Sequence, residues 1–332
     1  MGPGKIEAFE SNDVFDSVSS AKVKITKLLL GKHEARLLNS GTQIIPGRYA
    51  VGLVSEAGAN CFGIEKGDRV YINPDTPCGR CYNCTNDDGA ACSDLRSAGE
   101  NCDGYLRDFA VIPCENLFTL PESVSDNDAL YIDYLSHAVS AFSKLEIKKG
   151  EHVVVIGAST FGIILSLLII YYQGVPILID RDEEKLQQAK NCGVYYTLNT
   201  ESDLIGDVSE LTGGRMAESV VYINDSDLNT SIALNLASYS GQIAFVGLTG
   251  SGELMLNVTR AMNKQLLIHG IVSGLGNTAT SINLIANKAI PLSRFHGEIV
   301  RYDDVPQKLQ NMAKNLTSGK AVKEAIVDFI KF

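Results

Sequence analysis

Four cysteines stand close together in "PCGRCYNCTNDDGAACSD" (Pro77–Asp94): Cys78, Cys81, Cys84 and Cys92. The spacing C-x2-C-x2-C-x7-C lets a loop wrap one ion, and Zn2+ favours four thiolates in a tetrahedron. Gly79 and Gly89 give the loop freedom to close, and Pro77 stiffens its entry. Unconnected surface thiols and an iron–sulfur cluster are the weaker readings, since exposed free thiols are a liability that rarely comes in fours. Four thiolates leave zinc no open coordination position, so such an ion holds neither water nor substrate. The lobe, residues 77–95, is expected to carry one structural Zn per chain, with the chemistry elsewhere.

A second pattern begins at Glu151. "EHVVVIG" is a short, nearly continuous apolar run ending in glycine, as a buried parallel strand should be. "ASTFGIILSLLIIYYQG" follows with helical character, then the strand "VPILID" and the amphipathic helix "RDEEKLQQAKNCG". Further candidate strands lie at 194–198, 219–224, 242–247 and 266–272. About six parallel strands with crossover helices predict an α/β fold, a Rossmann-like doubly wound sheet. Its first turn is "GASTFG": Gly157, Ser159, Thr160, Phe161 and Gly162 are the residues placed to meet a pyrophosphate at a helix N-terminus. Ser159 stands where dinucleotide turns carry their middle glycine; its hydroxyl could donate to a phosphate. Asp180 closes the next strand, where an acid accepts from the adenosine ribose and repels a 2′-phosphate. This favours NAD(H), tempered by Arg181 beside it. Asp180 could also be only a strand-end turn residue.

The elements that must position these residues fit a chain of 332 residues, enough for two domains, with 45% hydrophobic and 20% charged residues. A net charge of −10 argues against a nucleic-acid partner. The N-terminus has no signal-type apolar core, and the most apolar run, Phe161–Ile170, is about half a bilayer span. A cytoplasmic protein without membrane partners is expected. A reducing compartment argues against four disulfides, so Cys61, Cys102, Cys114 and Cys192 are expected as core thiols.

A four-cysteine lobe upstream of a βαβ unit resembles the zinc-containing medium-chain dehydrogenase/reductase family of alcohol, sorbitol and threonine dehydrogenases. The resemblance rests on Gly63–Cys84, Asp103–Leu130, "EHVVVIGASTFG" and the C-terminal "VPQKLQNMAKNLTSGKAVKEAIVDF". It implies a β-rich GroES-like domain over 1–145 and 291–332, a Rossmann-like NAD-binding domain over 146–290, and an active site in the cleft between them. It also implies a homodimer or homotetramer acting on a small molecule.

The resemblance further implies a second, catalytic zinc, held by a cysteine, a histidine of a G-H-E motif and a third cysteine or glutamate. Here "IPGRYAVGLV" puts Arg48 at the histidine and Tyr49 at the glutamate, and no cysteine precedes Cys61. Asp133 is the best match for the third ligand, and one carboxylate does not hold zinc. His33 is the one nearby residue still able to bind metal. The catalytic zinc is therefore expected to be lost, leaving Arg48, Tyr49, Asp133 and His137 as catalytic candidates. Arg48 could polarise a carbonyl or anchor an anionic substrate. Tyr49 could donate a phenolic hydrogen bond. His137 stands where the family carries a small hydroxylic residue near the nicotinamide, and histidine serves as acid or base. Asp133 could orient His137 or neutralise Arg48, and a buried Arg48–Asp133 pair could instead simply fill the emptied pocket. The expected activity is metal-free NAD(H)-dependent oxidation or reduction of a polar alcohol or ketone. A conjugate (enoyl-type) reductase and a degenerate NAD-binding protein are the alternatives.

Overall fold

The computed structural model describes residues 15–223, 230–247 and 255–329. It divides into two compact units, Met1–Asp133 with Phe295–Phe332, and Tyr134–Arg294. The contact boundaries thus fall at 133/134 and 294/295, beside the 145/146 and 290/291 of the sequence expectation. Most of the helix Ile132–Lys144 goes with the second unit.

The first unit is built on β1 (Ser20–Leu30), whose residues are largely buried. Its chain-order companions are β2 (Tyr49–Ala57), β3 (Arg69–Ile72), β4 (Asp75–Thr76), β5 (Arg96–Ser97), β6 (Phe109–Pro113) and β7 (Leu117–Thr119). β1 pairs antiparallel with β2 along most of its length, while β6 takes its first half. The C-terminal tail returns as β14 (Glu298–Arg301) and β15 (Ala325–Asp328), and β15 pairs with the end of β1. The core beneath this sheet is aliphatic, with Val23, Ile25, Leu28, Val70, Ile72 and Val327 fully buried. β4 and β5 form a separate two-stranded ribbon, registered Asp75↔Ser97 and Thr76↔Arg96, and the cysteine lobe is the loop between them.

The second unit is one six-stranded parallel sheet. Its strands are β8 (His152–Ile156), β9 (Val175–Asp180), β10 (Tyr196–Asn199), β11 (Ala217–Ile223), β12 (Ala237–Val246) and β13 (Leu267–Ile271), in the order β10-β9-β8-β11-β12-β13. Every expected strand is found, with small shifts at the ends and a longer β12. Val153 to Ile156 are fully buried because helices cover both faces of a parallel sheet. The helix Thr160–Tyr171 is apolar around its whole girth and nearly all buried, as a central crossover helix should be. The next helix, Glu183–Cys192, starts where the Asp182 carboxylate accepts from the Glu184 and Lys185 N–H groups, and stops at Gly193.

One expectation is corrected. Cys61 and Cys114 are not thiols but a disulfide, with Cα atoms 5.1 Å apart. The cause is the β1 register: Gly58 N–H donates to Ser20 O and Cys114 N–H to Ser19 O, so both cysteines come to the same end of β1. Their separation of 53 residues hid this in the linear pattern. Cys102 and Cys192 remain thiols, and burial raises the pKa of Cys192. Thiol titration of the denatured, metal-free, unreduced protein is therefore expected to count six thiols, the six free cysteines, rising to the full eight cysteines of the chain after reduction.

Candidate functional site

The lobe places its four cysteines around one point. All four sulfurs lie within 4.8 Å of one another, with Cys81–Cys84 at 3.4 Å and Cys78–Cys84 and Cys81–Cys92 at 4.0 Å. Zinc–sulfur bonds of about 2.3 Å put tetrahedral sulfurs about 3.8 Å apart, so the cage fits zinc. Backbone N–H groups already point at the sulfurs: Cys78 and Asp94 donate to Cys92 Sγ at 3.3 and 3.4 Å. The N–H groups of Cys84 and Ser93 hold the Cys81 pKa down to about 6, which favours the thiolate a metal needs. Among the described residues this is the one cluster of three or more such ligands.

The dinucleotide turn runs from β8 into the helix Thr160–Tyr171. Gly162 is required by close approach, since a Cβ there would collide with the Gly157 carbonyl oxygen. Ser159 caps the helix, its oxygen accepting from Gly162 N–H at 3.4 Å, which leaves the hydroxyl proton available to a phosphate. Asp180, at the end of β9, accepts from Ala158 N–H at 2.7 Å and Asp182 N–H at 2.9 Å. It thus does turn work, and each oxygen keeps a second lone pair for a ribose hydroxyl. Arg181 is exposed beside it. These features fit a dinucleotide.

Arg48 sits immediately before β2, following Gly47, whose φ of +100° only glycine adopts comfortably. The carbonyls of Ile45, Pro46 and Gly47 accept from the N–H groups of Gly104, Leu106 and Tyr105, stitching this turn to the segment after the lobe. Arg48 is 3% exposed. Nη2 donates to Asp75 Oδ1 at 2.9 Å, Nε to Asp133 Oδ2 at 3.4 Å, and Nη1 lies 3.6 Å from Glu100 Oε2. Burial alone would lower the Arg48 pKa; Asp133 and then Asp75 overcome this and raise it well above its ordinary value. Tyr49 stacks 5.9 Å from the guanidinium. Burial, then Asp133, pushes its phenol far up, so Tyr49 keeps its proton.

Asp75 is tightly held. It also accepts from Ser97 Oγ at 2.7 Å, and its N–H donates to Asn73 Oδ1 at 3.1 Å. Asn116 Nδ2 donates to the Asn73 and Asp75 carbonyls. The ribbon that carries the cysteine lobe therefore also carries the Arg48 counter-ion. Asp75 and Glu100 were not among the sequence candidates. Asp75 reads as a turn residue in "INPDTPCG", and nothing in its type or spacing points at Arg48.

The other candidates are distributed. Asp133 and His137 share the helix Ile132–Lys144. His137 Nε2 is 3.3 Å from the Val272 carbonyl, and Ser140 Oγ donates to Ser273 O, so this face anchors the loop after β13. His33 is buried with Nε2 2.7 Å from Gly99 O, a structural contact and not part of a ligand cluster. His152, His269 and His296 pair with Glu218, Gln242 and Asp128.

A β-rich unit with a four-cysteine lobe, joined to a parallel dinucleotide-type sheet, defines a dehydrogenase-type chain. Residues 17–122 match the alcohol dehydrogenase GroES-like domain, and residues 172–287 match the zinc-binding dehydrogenase domain. The chain is 29% identical over 271 residues to an uncharacterized zinc-type alcohol dehydrogenase-like protein of Haemophilus influenzae, covering 81% of this chain and 79% of that one. It is 30% identical over 223 residues to a sorbitol dehydrogenase of Halalkalibacterium halodurans, covering 66% and 65%. Among solved structures, a short chain alcohol dehydrogenase of Escherichia coli CFT073, complexed with NADH, superposes with a TM-score of 0.86 at 20% identity, covering 99% and 97%. The chain belongs to the zinc-containing medium-chain dehydrogenase/reductase family.

Two outcomes are expected. Chelation, or Cys81→Ser, should release one zinc per chain and lower the melting temperature by about 5 °C or more, read by calorimetry. Arg48→Met should cost about 3–5 kcal/mol in urea unfolding, because it leaves buried carboxylates facing each other. Asp133→Ala should cost less, since Asp75 still neutralises Arg48.

Proposed function

We propose that the chain is an NAD(H)-dependent oxidoreductase acting on a polar small-molecule alcohol or ketone, with one zinc kept for structure and none at the reacting oxygen. The observation that carries this reading is Arg48: a buried, permanently charged guanidinium, ion-paired on two sides, at the G-H-E histidine position. A zinc ion beside that cation would be repelled, and Asp133 and Asp75 are already engaged with it. The donor set does not fit a catalytic zinc.

The dinucleotide, when bound, supplies or accepts the hydride at carbon. Gly157, Ser159, Thr160, Phe161 and Gly162 receive its pyrophosphate, and Asp180 with Arg181 receives its adenosine ribose. An acid at that position supports NAD(H) over NADP(H). Negative charge then develops on the substrate oxygen. A well-placed donor in a dry site contributes about 3–4 kcal/mol of stabilisation there. Arg48 Nη1 is assigned this role, with Tyr49 as a second donor. Arg48 holds its protons, so the alkoxide must be protonated by another group. Histidine suits that transfer, and His137, whose Nε2 lies 3.3 Å from the Val272 carbonyl oxygen, is assigned it.

A homodimer or homotetramer is part of the proposal, supported by the edge position of β13 and the exposure of Leu267 and Ile268 on it. Among the described residues no helix is long and apolar enough to cross a membrane. A cytoplasmic setting, where thiolates stay available to zinc, completes the reading.

The test combines metal analysis with turnover. Purified protein should contain one zinc per chain and bind NADH. It should reduce simple ketones or oxidise polar alcohols, with kcat lowered about 100-fold or more in Arg48→Met. Two tightly held zinc ions per chain would overturn the proposal. NADH binding without turnover on any alcohol, ketone or α,β-unsaturated carbonyl would identify a degenerate binding protein. Reduction of the unsaturated carbonyl alone would identify a conjugate reductase.

A further inference from the structure

The charge around Arg48 carries an inference that rests on the reading above and deepens it. Three carboxylates meet one guanidinium. Asp75 and Asp133 are buried with it and occupy Nη2 and Nε. These two already exceed its single charge, so Glu100 is not needed for neutralisation. Glu100 also differs in kind. Its side chain is 47% exposed, and its 3.6 Å approach to Nη1 is too long for a hydrogen bond. Nη1 itself is buried and makes no hydrogen bond. A buried N–H without an acceptor is costly, and a ligand oxygen would satisfy it. A donor awaiting an acceptor thus stands beside a surplus carboxylate that reaches solvent.

The backbone under Glu100 is fixed. Glu100 N–H donates to Ser97 O at 3.1 Å, and Gly99 N–H to Cys102 O at 2.8 Å. The same Ser97 donates its hydroxyl to Asp75. The carboxylate can rotate off Nη1 without breaking a hydrogen bond, while its anchor stays in place.

We infer that Glu100 is a specificity-determining residue that selects a substrate bearing a positive charge, a small amino alcohol or amino ketone. The substrate oxygen accepts from Arg48 Nη1, and its ammonium group pairs with Glu100. Anions are rejected. Arg48 taken alone invites a carboxylate or phosphate, but one cation among three carboxylates is a net-negative cluster, and a further anion is repelled. A neutral diol uses the Nη1 donor only.

The experiment uses full-length, zinc-loaded protein saturated with NADH. Binding of 1-amino-2-propanol, 1,2-propanediol and lactate is measured by calorimetry for wild type and Glu100→Gln, with oxidation of each followed separately using NAD+. The amino alcohol should bind about tenfold or more tighter than the diol, and lactate more weakly than either. In Glu100→Gln the amino alcohol to diol ratio should fall to about one. Raising salt should erode the wild-type ratio, a check that needs no variant. Equal affinities in wild type, tighter lactate, no binding of the amino alcohol, or a ratio unmoved by both Glu100→Gln and salt would each overturn the inference. Selective binding without oxidation would leave it standing and sink the dehydrogenase reading. Oxidation without ammonium preference would do the reverse.

Discussion

A guanidinium taken out of water must find its counter-charges inside the protein, and the first unit is organised around that demand at Arg48. Its desolvation is offset by Asp75 and Asp133, which lie 27 and 85 residues along the chain from it. Meeting the demand ties together the turn before β2, the ribbon β4–β5 and the start of the helix Ile132–Lys144. Replacing such a cluster by apolar side chains often costs nothing, whereas deleting one member is expensive. The cluster is therefore better understood as a positioning device than as a source of stability. It holds one donor, Nη1, in a fixed direction while leaving it without an acceptor.

The two sites of the first unit are not independent. The ribbon that frames the thiolate cage presents Asp75 from its first strand, and Ser97 from its second strand braces that carboxylate. Metal in the lobe and charge at Arg48 are thus served by the same few residues. Disturbing the ribbon at the lobe would therefore be felt at the Asp75 carboxylate that pairs with Arg48.

Much of this was legible from residue order alone. The thiolate spacing, the apolar runs of β8 and β9 and the turn between Gly157 and Gly162 are local patterns, each set by a few neighbouring residues, and the fold reproduces them. The family resemblance supplied the tail's return to the first unit. What escaped were pairings across long sequence distances. Asp75 meets Arg48 from the ribbon β4–β5, and Glu100 from the turn at Gly99, which packs on the Gly47 backbone. Cys61 meets Cys114 only because both flank the start of β1. Asp180 shows a third kind of limit: its type and place suggested ribose recognition, yet it also braces two backbone turns, a dual use that no spacing reveals.

The covalent link between Cys61 and Cys114 encloses the entire cysteine lobe, since residues 78–92 lie within the loop it closes. A lobe emptied of its ion consequently remains a tethered ring, its ends unable to drift apart. When a metal arrives from solution, the four thiolates gather round it from a restricted volume, and the surrounding sheet need not come undone.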